Sequence, residues 1–399
     1  RQLPVAAIDA DGDFVIVWES SQTGDWNVYG QRYNASGVAQ GGEFTVNTAT
    51  SGTQFNAAVA MDSVGNFVVT WDTSVSEAGG SGTAILARRF DASASPLGGE
   101  FLVNTYTSNF QQYPVVSAVA DGRFIIAWES GNTIGGPTQD GNNYGVFAKS
   151  FSASGAPSSG EFRIYVYTTD HQHTPTVVNY GNGSFMAAWY SQDQLSFNNQ
   201  DVFARQYRGG VPGSEFLVNT NTAGQQFLAA LDADEAGNVV AVWDSVGEDG
   251  SLNGVYARRY GGVIPHAMNV DVAATASSDG NRVFEAGELV IVYPAWRNVN
   301  GGTLAFDGAA SAFTGPFGPA YVIIDNAASY GSVPTNTVRD CGFAGNCYLM
   351  QISAGNRPAA HWDAQFREDI LPVVLGQSKA WSLHVGDSFA DVPRASGFY

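Results

Sequence analysis

The feature that most constrains this chain is a block that recurs five times between residues 1 and 262. Its first marker is a tryptophan near the end of a short apolar run. FVIVWES, FVVTWDT, FIIAWES, FMAAWYS and VVAVWDS place Trp18, Trp71, Trp128, Trp189 and Trp243 at spacings of 53 to 61 residues. A second run follows each tryptophan, in the forms NVYGQRY, AILARRF, GVFAKSF, DVFARQY and GVYARRY. A third marker, EFTVNT or a close variant, starts at Glu43, Glu100, Glu161 and Glu215, and a fourth, such as QQYPVVSAVAD, precedes the tryptophan. Between the fourth and first markers sit DADGD, DSVGN, ADGR, YGNGS and DEAGN. Their Asp-Gly and Asn-Gly pairs suit tight hairpins, because those turns require positive φ angles. Each block therefore holds four short strands, which is the size of a propeller blade. A parallel β-helix would use shorter coils, and a row of sandwich domains would need longer units.

No EFxVN strand precedes the first block, and the fifth runs into GGVIPHAMNV where the fourth reads RGGVPGSEFLVN. Residues 263–270 are accordingly read as a degenerate fifth copy of that strand. With it the repeat balances at five sets of four and leaves no strand edge unpaired. The propeller is expected over residues 1–270, with a larger ring as the rival. The chain begins inside a repeat, so anything upstream is expected to have been removed or left out. After Val272 the pattern changes to longer strands, including ELVIVYPAWRN and SKAWSLHVGD, which fit one β-sandwich over residues 271–388.

Two resemblances accompany that second region. The turn SSDGNRVFEAGE carries Asp279, Asn281, Glu285, Gly287 and Glu288 in the D-x-N-x-x-x-E-x-G-E arrangement, and it resembles a bacterial immunoglobulin-like module. The end of the chain, residues 389–399, resembles the start of a surface-layer homology motif through Phe389, Asp391, Val392, Pro393, Phe398 and Tyr399. The repeats are similar to those of large secreted bacterial proteins. The resemblances imply an immunoglobulin-like fold for the sandwich and attachment to a bacterial envelope. The fold class expected is thus all-β, a five-bladed propeller of four-stranded blades followed by an immunoglobulin-like β-sandwich.

Composition narrows the partners. With 18 basic and 37 acidic residues the formal charge is −19, which repels phosphate backbones and argues against nucleic acid. No stretch of about 18 apolar residues is present, so no transmembrane segment is expected. Only two cysteines occur, Cys341 and Cys347, in DCGFAGNC. They are close enough to form a disulfide, which would indicate an oxidising compartment; two independent thiols are the alternative.

Carboxylates are the abundant functional groups. Asp9, Asp11 and Asp13 stand at the alternate spacing that calcium loops use, although a plain hairpin turn fits the other copies better. Asp279, Asn281, Glu285 and Glu288 gather four oxygen ligands within ten residues and form the second calcium candidate. An acid follows each tryptophan as Glu19, Asp72, Glu129 and Asp244, with Tyr190 in the fourth block. These side chains either ring one mouth of the propeller or cap their own turns beside Ser20, Thr73, Ser130 and Ser245; capping fits a feature present in every copy. His171 and His173 could share a metal, but no further ligands accompany them. The loop aromatics Trp26 and Phe197 are candidate ligand-binding residues. The sequence shows no H-E-x-x-H and no G-x-S-x-G.

The function expected is a non-enzymatic extracellular or bacterial cell-surface protein that binds proteins, glycans or copies of itself. The alternative is a carbohydrate-active enzyme or a lectin at the propeller funnel. It requires acids from different blades to converge.

Overall fold

The computed structural model describes residues 2–386 apart from 75–81, 133–137, 182, 198, 235–237, 261, 275–276, 300–302, 356–357 and 372–377. Residues 389–399, with the motif expected at Phe389 to Tyr399, lie outside the described residues. The chain divides into two compact units, residues 1–233 with 240–258, and residues 234–239 with 259–399.

The first unit has a β-propeller-type architecture of consecutive antiparallel sheets. Blade one is β1 (Gln2–Ile8), β2 (Phe14–Thr23), β3 (Asp25–Tyr33) and β4 (Ala39–Thr45). Blade two is β5 (Gln54–Met61), β6 (Phe67–Thr73), β7 (Ala84–Phe90) and β8 (Phe101–Leu102). Blade three is β9 (Phe110–Ala118), β10 (Phe124–Gly131), β11 (Tyr144–Phe151) and β12 (Phe162–Arg163). Blade four is β13 (Gln172–Gly181), β14 (Ser184–Gln192), β15 (Gln200–Arg208) and β16 (Val211–Leu217). The fifth sheet has three strands, β17 (Gln226–Ala233), β18 (Val239–Val246) and β19 (Asn253–Tyr260). The first strands of successive blades lie side by side.

The second strands are apolar on both faces because a neighbouring blade covers each face. Thus β6 and β10 are buried at every position. One apolar cluster joins blade one (Val15, Val17, Val28) to blade two (Phe67, Trp71, Phe90), and equivalent clusters join blades two to three and three to four. Polar locks repeat with them. The indole N–H of Trp71 donates to Gln54 Oε1 at 3.0 Å, and that of Trp128 to Gln111 Oε1 at 3.1 Å. From the third strand, Arg88, Lys149, Arg205 and Arg258 each donate to the carbonyl that ends the preceding blade's outer segment, at Val46, Val103, Ile164 and Val218. The glutamate of the EF marker also reaches back: Glu100 accepts from Thr48 N–H, Glu161 from Thr105 N–H and Glu215 from Val166 N–H.

The strand expected to complete the ring does not do so. Val263–Val270 is β20, and it pairs antiparallel with β21 (Leu289–Asn298) in the second unit. Its apolar positions are claimed by that unit's core, where Val263 and Met268 are buried.

The second unit consists of two sheets around one core. One sheet contains β20, β21, β26 (Tyr348–Ile352) and β23 (Tyr321–Asp325), with β25 (Val338–Asp340) beside β21. The other contains β24 (Ala327–Val333), β22 (Leu304–Thr314), β27 (Trp362–Leu371) and β28 (Ser378–Val385). Residues of β27 alternate between buried and exposed, as a strand with one face on a core must. One core position is a carboxylate. Glu368 is fully buried and accepts from Trp296 Nε1, Trp381 Nε1, Tyr330 Oη and Tyr348 Oη at 2.5 to 2.9 Å. Burial raises its pKa, and the four donors pull the other way. Cys341 and Cys347 form the expected disulfide, with a Cα–Cα distance of 5.2 Å. Among the described residues no helix is long and apolar enough to cross a membrane.

Candidate functional site

Three of the acids after the tryptophans, Glu19, Asp72 and Glu129, do not cap their own turns but reach across to the first strand of the following blade, and the capping expected of them is corrected here. Glu19 Oε1 accepts the N–H of Asn56 at 2.5 Å, Asp72 Oδ2 that of Tyr113 at 3.1 Å, and Glu129 Oε1 that of Thr174 at 2.5 Å. The three receiving residues share a left-handed backbone, with φ of 53°, 53° and 45°. Such angles are costly for residues with a Cβ, and the charge-assisted hydrogen bond compensates for the strain. Leu3 holds the same position and conformation in blade one, with φ of 48°.

This arrangement brings three carboxylates from three blades together. The Asn56 backbone donates to Glu19 while its side chain donates to Asp72 at 2.7 Å, so one residue bridges both acids. All three acids are buried, at 0, 5 and 1% exposure for Glu19, Asp72 and Glu129. Burial pushes the pKa of Asp72 up to about 7, and the charges of Glu19 and Glu129 push in the same direction against its hydrogen bonds. A carboxyl group that keeps its proton near neutrality thus sits between two others.

Around this constant frame the cross-strand partner of the residue after each tryptophan is a glutamine in blades one and three and changes in blades two and four. Gln2 faces Glu19, Phe55 faces Asp72, Gln112 faces Glu129 and His173 faces Tyr190. Gln112 Nε2 donates to Glu129 Oε2 at 3.3 Å, and His173 Nδ1 lies 3.3 Å from the same oxygen. His173 also stacks on His171 and packs against Tyr144 and Tyr190, while Tyr113 stands 45% exposed beside Asp72 and Glu129. Burial and the neighbouring His173 lower the pKa of His171. Trp26 packs on Phe55 at 5.7 Å, which places it on the same rim as Asp72. Phe197 is 84% exposed and the structure gives it no partner in this site. The change from glutamine at Gln2 and Gln112 to Phe55 and His173 is the sequence signal that could have marked the site, because a residue type that varies at a repeated position answers to something other than the blade.

A separate cavity of about 740 Å³ lies at the hairpin end of blades three and four, lined by Phe124, Phe151, Phe162, Arg163, Arg205 and Tyr207 among others. Its carboxylate is Glu161, already held by Thr105. It contains no acid pair.

Among the described residues, one group of at least three acidic, histidine or cysteine side chains brings a ligand atom from each within 4.8 Å of the others. It comprises Asp271, Asp279 and Glu288, which could hold a metal ion. Asp271 is fully buried. Its Oδ2 accepts the Asn281 N–H at 2.9 Å, and its Oδ1 has no hydrogen-bond partner, nor has Glu288 Oε2. Asp279 Oδ1 accepts the same N–H at 3.1 Å. The Asn281 side-chain oxygen accepts the Val283 N–H at 2.8 Å, and Glu285 stands next to Glu288. Asp271 escaped the sequence reading because it lies eight residues before Asp279, directly after a segment assigned to a blade.

In the DADGD loop, Asp9 Oδ1 accepts the N–H groups of Asp11 and Asp13 at 3.0 and 2.9 Å, and Asp13 Oδ1 accepts that of Ala35. Asp62 and Asp234 hold their hairpins in the same way.

No known protein family matches the chain, and no curated protein matches it. Solved structures are similar to it. A protein of unknown function from Dyadobacter fermentans aligns with 88% of this chain and 94% of its own, at 8% identity and a TM-score of 0.46. A polysaccharide lyase, Uly1, aligns with 64% of this chain at 10% identity and a TM-score of 0.42, and the chain spans 57% of the lyase's length. An endo-arabinase from Bacteroides thetaiotaomicron aligns with 64% of this chain and 92% of its own, at 11% identity and a TM-score of 0.36. The non-enzymatic expectation is corrected at this point. The acids read as caps of their own turns instead converge, from blades one to three.

Proposed function

We propose that the protein is a carbohydrate-active enzyme that cleaves glycosidic bonds where Glu19, Asp72 and Glu129 meet. The observation that carries this reading is the convergence of three carboxylates from three blades, with the middle one protonated up to about pH 7. Glycoside cleavage requires one carboxylic acid to protonate the leaving oxygen and a second carboxylate to stabilise or attack the sugar. Asp72 takes the first role and Glu129, beside His173, the second. Glu19 holds Asn56 in place, and its charge adds to the burial that keeps Asp72 protonated. An acidic site in a chain of charge −19 repels uronates, so neutral glycans are the substrate class, with Trp26 and Phe55 as a stacking surface.

The test is a panel of neutral polysaccharides scored by mass spectrometry for shortened chains. Wild-type protein is expected to shorten at least one, and Glu129→Gln to slow that reaction by on the order of a thousandfold. A panel left intact by the wild type, or equal rates for the variant, rejects the reading.

For the cluster of Asp271, Asp279 and Glu288 the ion we propose is calcium. All its donors are hard oxygens, and an unpartnered buried Asp271 oxygen is the contact a cation supplies. Calcium and a disulfide both fit a working place outside the cell, and secretion to the bacterial surface is the localisation we propose.

A further inference from the structure

The internal blade contacts obey one rule, and the two ends of the first unit show each half of it alone. Every blade from two to four turns an aromatic face towards the blade before it. Phe67 and Phe90 in blade two are 3 and 1% exposed, and their rings stack at 5.0 Å. They pack on a face of small and branched residues, such as Val15 and Val28 of blade one, both at 0%. Blade two offers the same kind of face to blade three through Val68, Ile85 and Ala87, at 4, 0 and 0%.

Blade one carries the aromatic half on a face that is partly exposed. Phe14 and Tyr33 stack at 5.0 Å in the same geometry, but both are only half-buried, and Ile8, the cross-strand partner of Phe14, is 64% exposed. The fifth sheet carries the small half. Its Val240 and Val255, equivalent to Val68 and Ile85, are 38 and 74% exposed, and Ala257 is exposed too.

We propose that a second copy of this chain covers these surfaces, with the fifth sheet of one molecule packed on blade one of the next. Three polar details match. Asp244 occupies the position from which Glu19, Asp72 and Glu129 reach the following blade, and Leu3 repeats the left-handed conformation of the residues that receive them. The cation that reaches back from blades two to five is replaced in blade one by Gln31, which bonds within its own blade to the carbonyls of Arg32, Gln40 and Gly41. Among the described residues the fifth sheet has three strands, without the fourth to which such a cation would reach. The cation is thus lost at the blade that would meet an incomplete neighbour. The contact joins two different surfaces, so it builds closed rings or open chains of molecules. This inference stands independently of the enzymatic reading.

The experiment is light scattering coupled to gel filtration from about 1 to about 100 µM protein, the range in which modest interfaces form. The wild-type mass is expected to rise with concentration. Ile8→Asp and Val255→Asp, both at exposed positions, are each expected to stay monomeric with unchanged Tm. Their equimolar mixture is expected to form dimers and nothing larger, because each variant keeps the surface the other has lost. A wild type that remains monomeric throughout, or association unaffected by either variant, overturns the proposal.

Discussion

Asp72 connects stability to chemistry at the level of a single side chain. In the unfolded chain its carboxyl titrates near 3.8, and burial in the folded protein pushes it up to about 7. Between these values the native state binds the extra proton, so stability falls as pH rises from about 4 to about 7 and levels off above that. A shift of this size is worth roughly 4 kcal/mol if other groups are unchanged. Thermal melting across that window should show the decline in the wild type and a flatter curve in Asp72→Asn. Equal slopes would mean that Asp72 is ionised in the fold. Glu368 makes a parallel case in the second unit. Glu368→Ala leaves two indoles and two phenols without an acceptor and should cost roughly 3 kcal/mol or more by chemical denaturation. The presence of an acid after each tryptophan was readable in the sequence, and its partner was not. The partner is a backbone N–H about 40 residues away, on a residue such as Tyr113 or Thr174 whose type gives no hint of a positive φ.

At the scale of strands and loops, the periodic signals were the reliable ones. Tryptophan runs, Asp-Gly turns and the EF marker all became strands and hairpins in the expected order, because each is specified locally and then buried by an identical neighbour. The misread element was β20. VIPHAMNV has the right length and polarity for a blade's outer strand, and only the long-range pairing with β21 decides its place. The loop that follows β20 gathers the proposed calcium ligands from both its ends. Millimolar calcium should therefore raise the Tm of that unit, since a ligand bound only to the folded state stabilises it. Chelator should reverse the rise and Asp271→Asn abolish it. A Tm indifferent to calcium would exclude the ion.

The whole molecule combines a regular scaffold with an irregular inner rim. Repetition explains the tryptophans, the inter-blade cations and the paired aromatic and small faces. It does not explain why Phe55 and His173 stand where Gln2 and Gln112 stand in other blades. The carbohydrate chemistry we propose accounts for that variation, with the acids as the reacting groups and the variable residues as what surrounds the sugar. The most direct measurement is the release of reducing ends from neutral polysaccharides by wild type and Asp72→Asn, followed from about pH 5 to about pH 9. The account predicts wild-type activity that declines above about pH 7, as Asp72 loses its proton, and a variant at least about a hundredfold slower throughout. Wild-type rates in Asp72→Asn would contradict it.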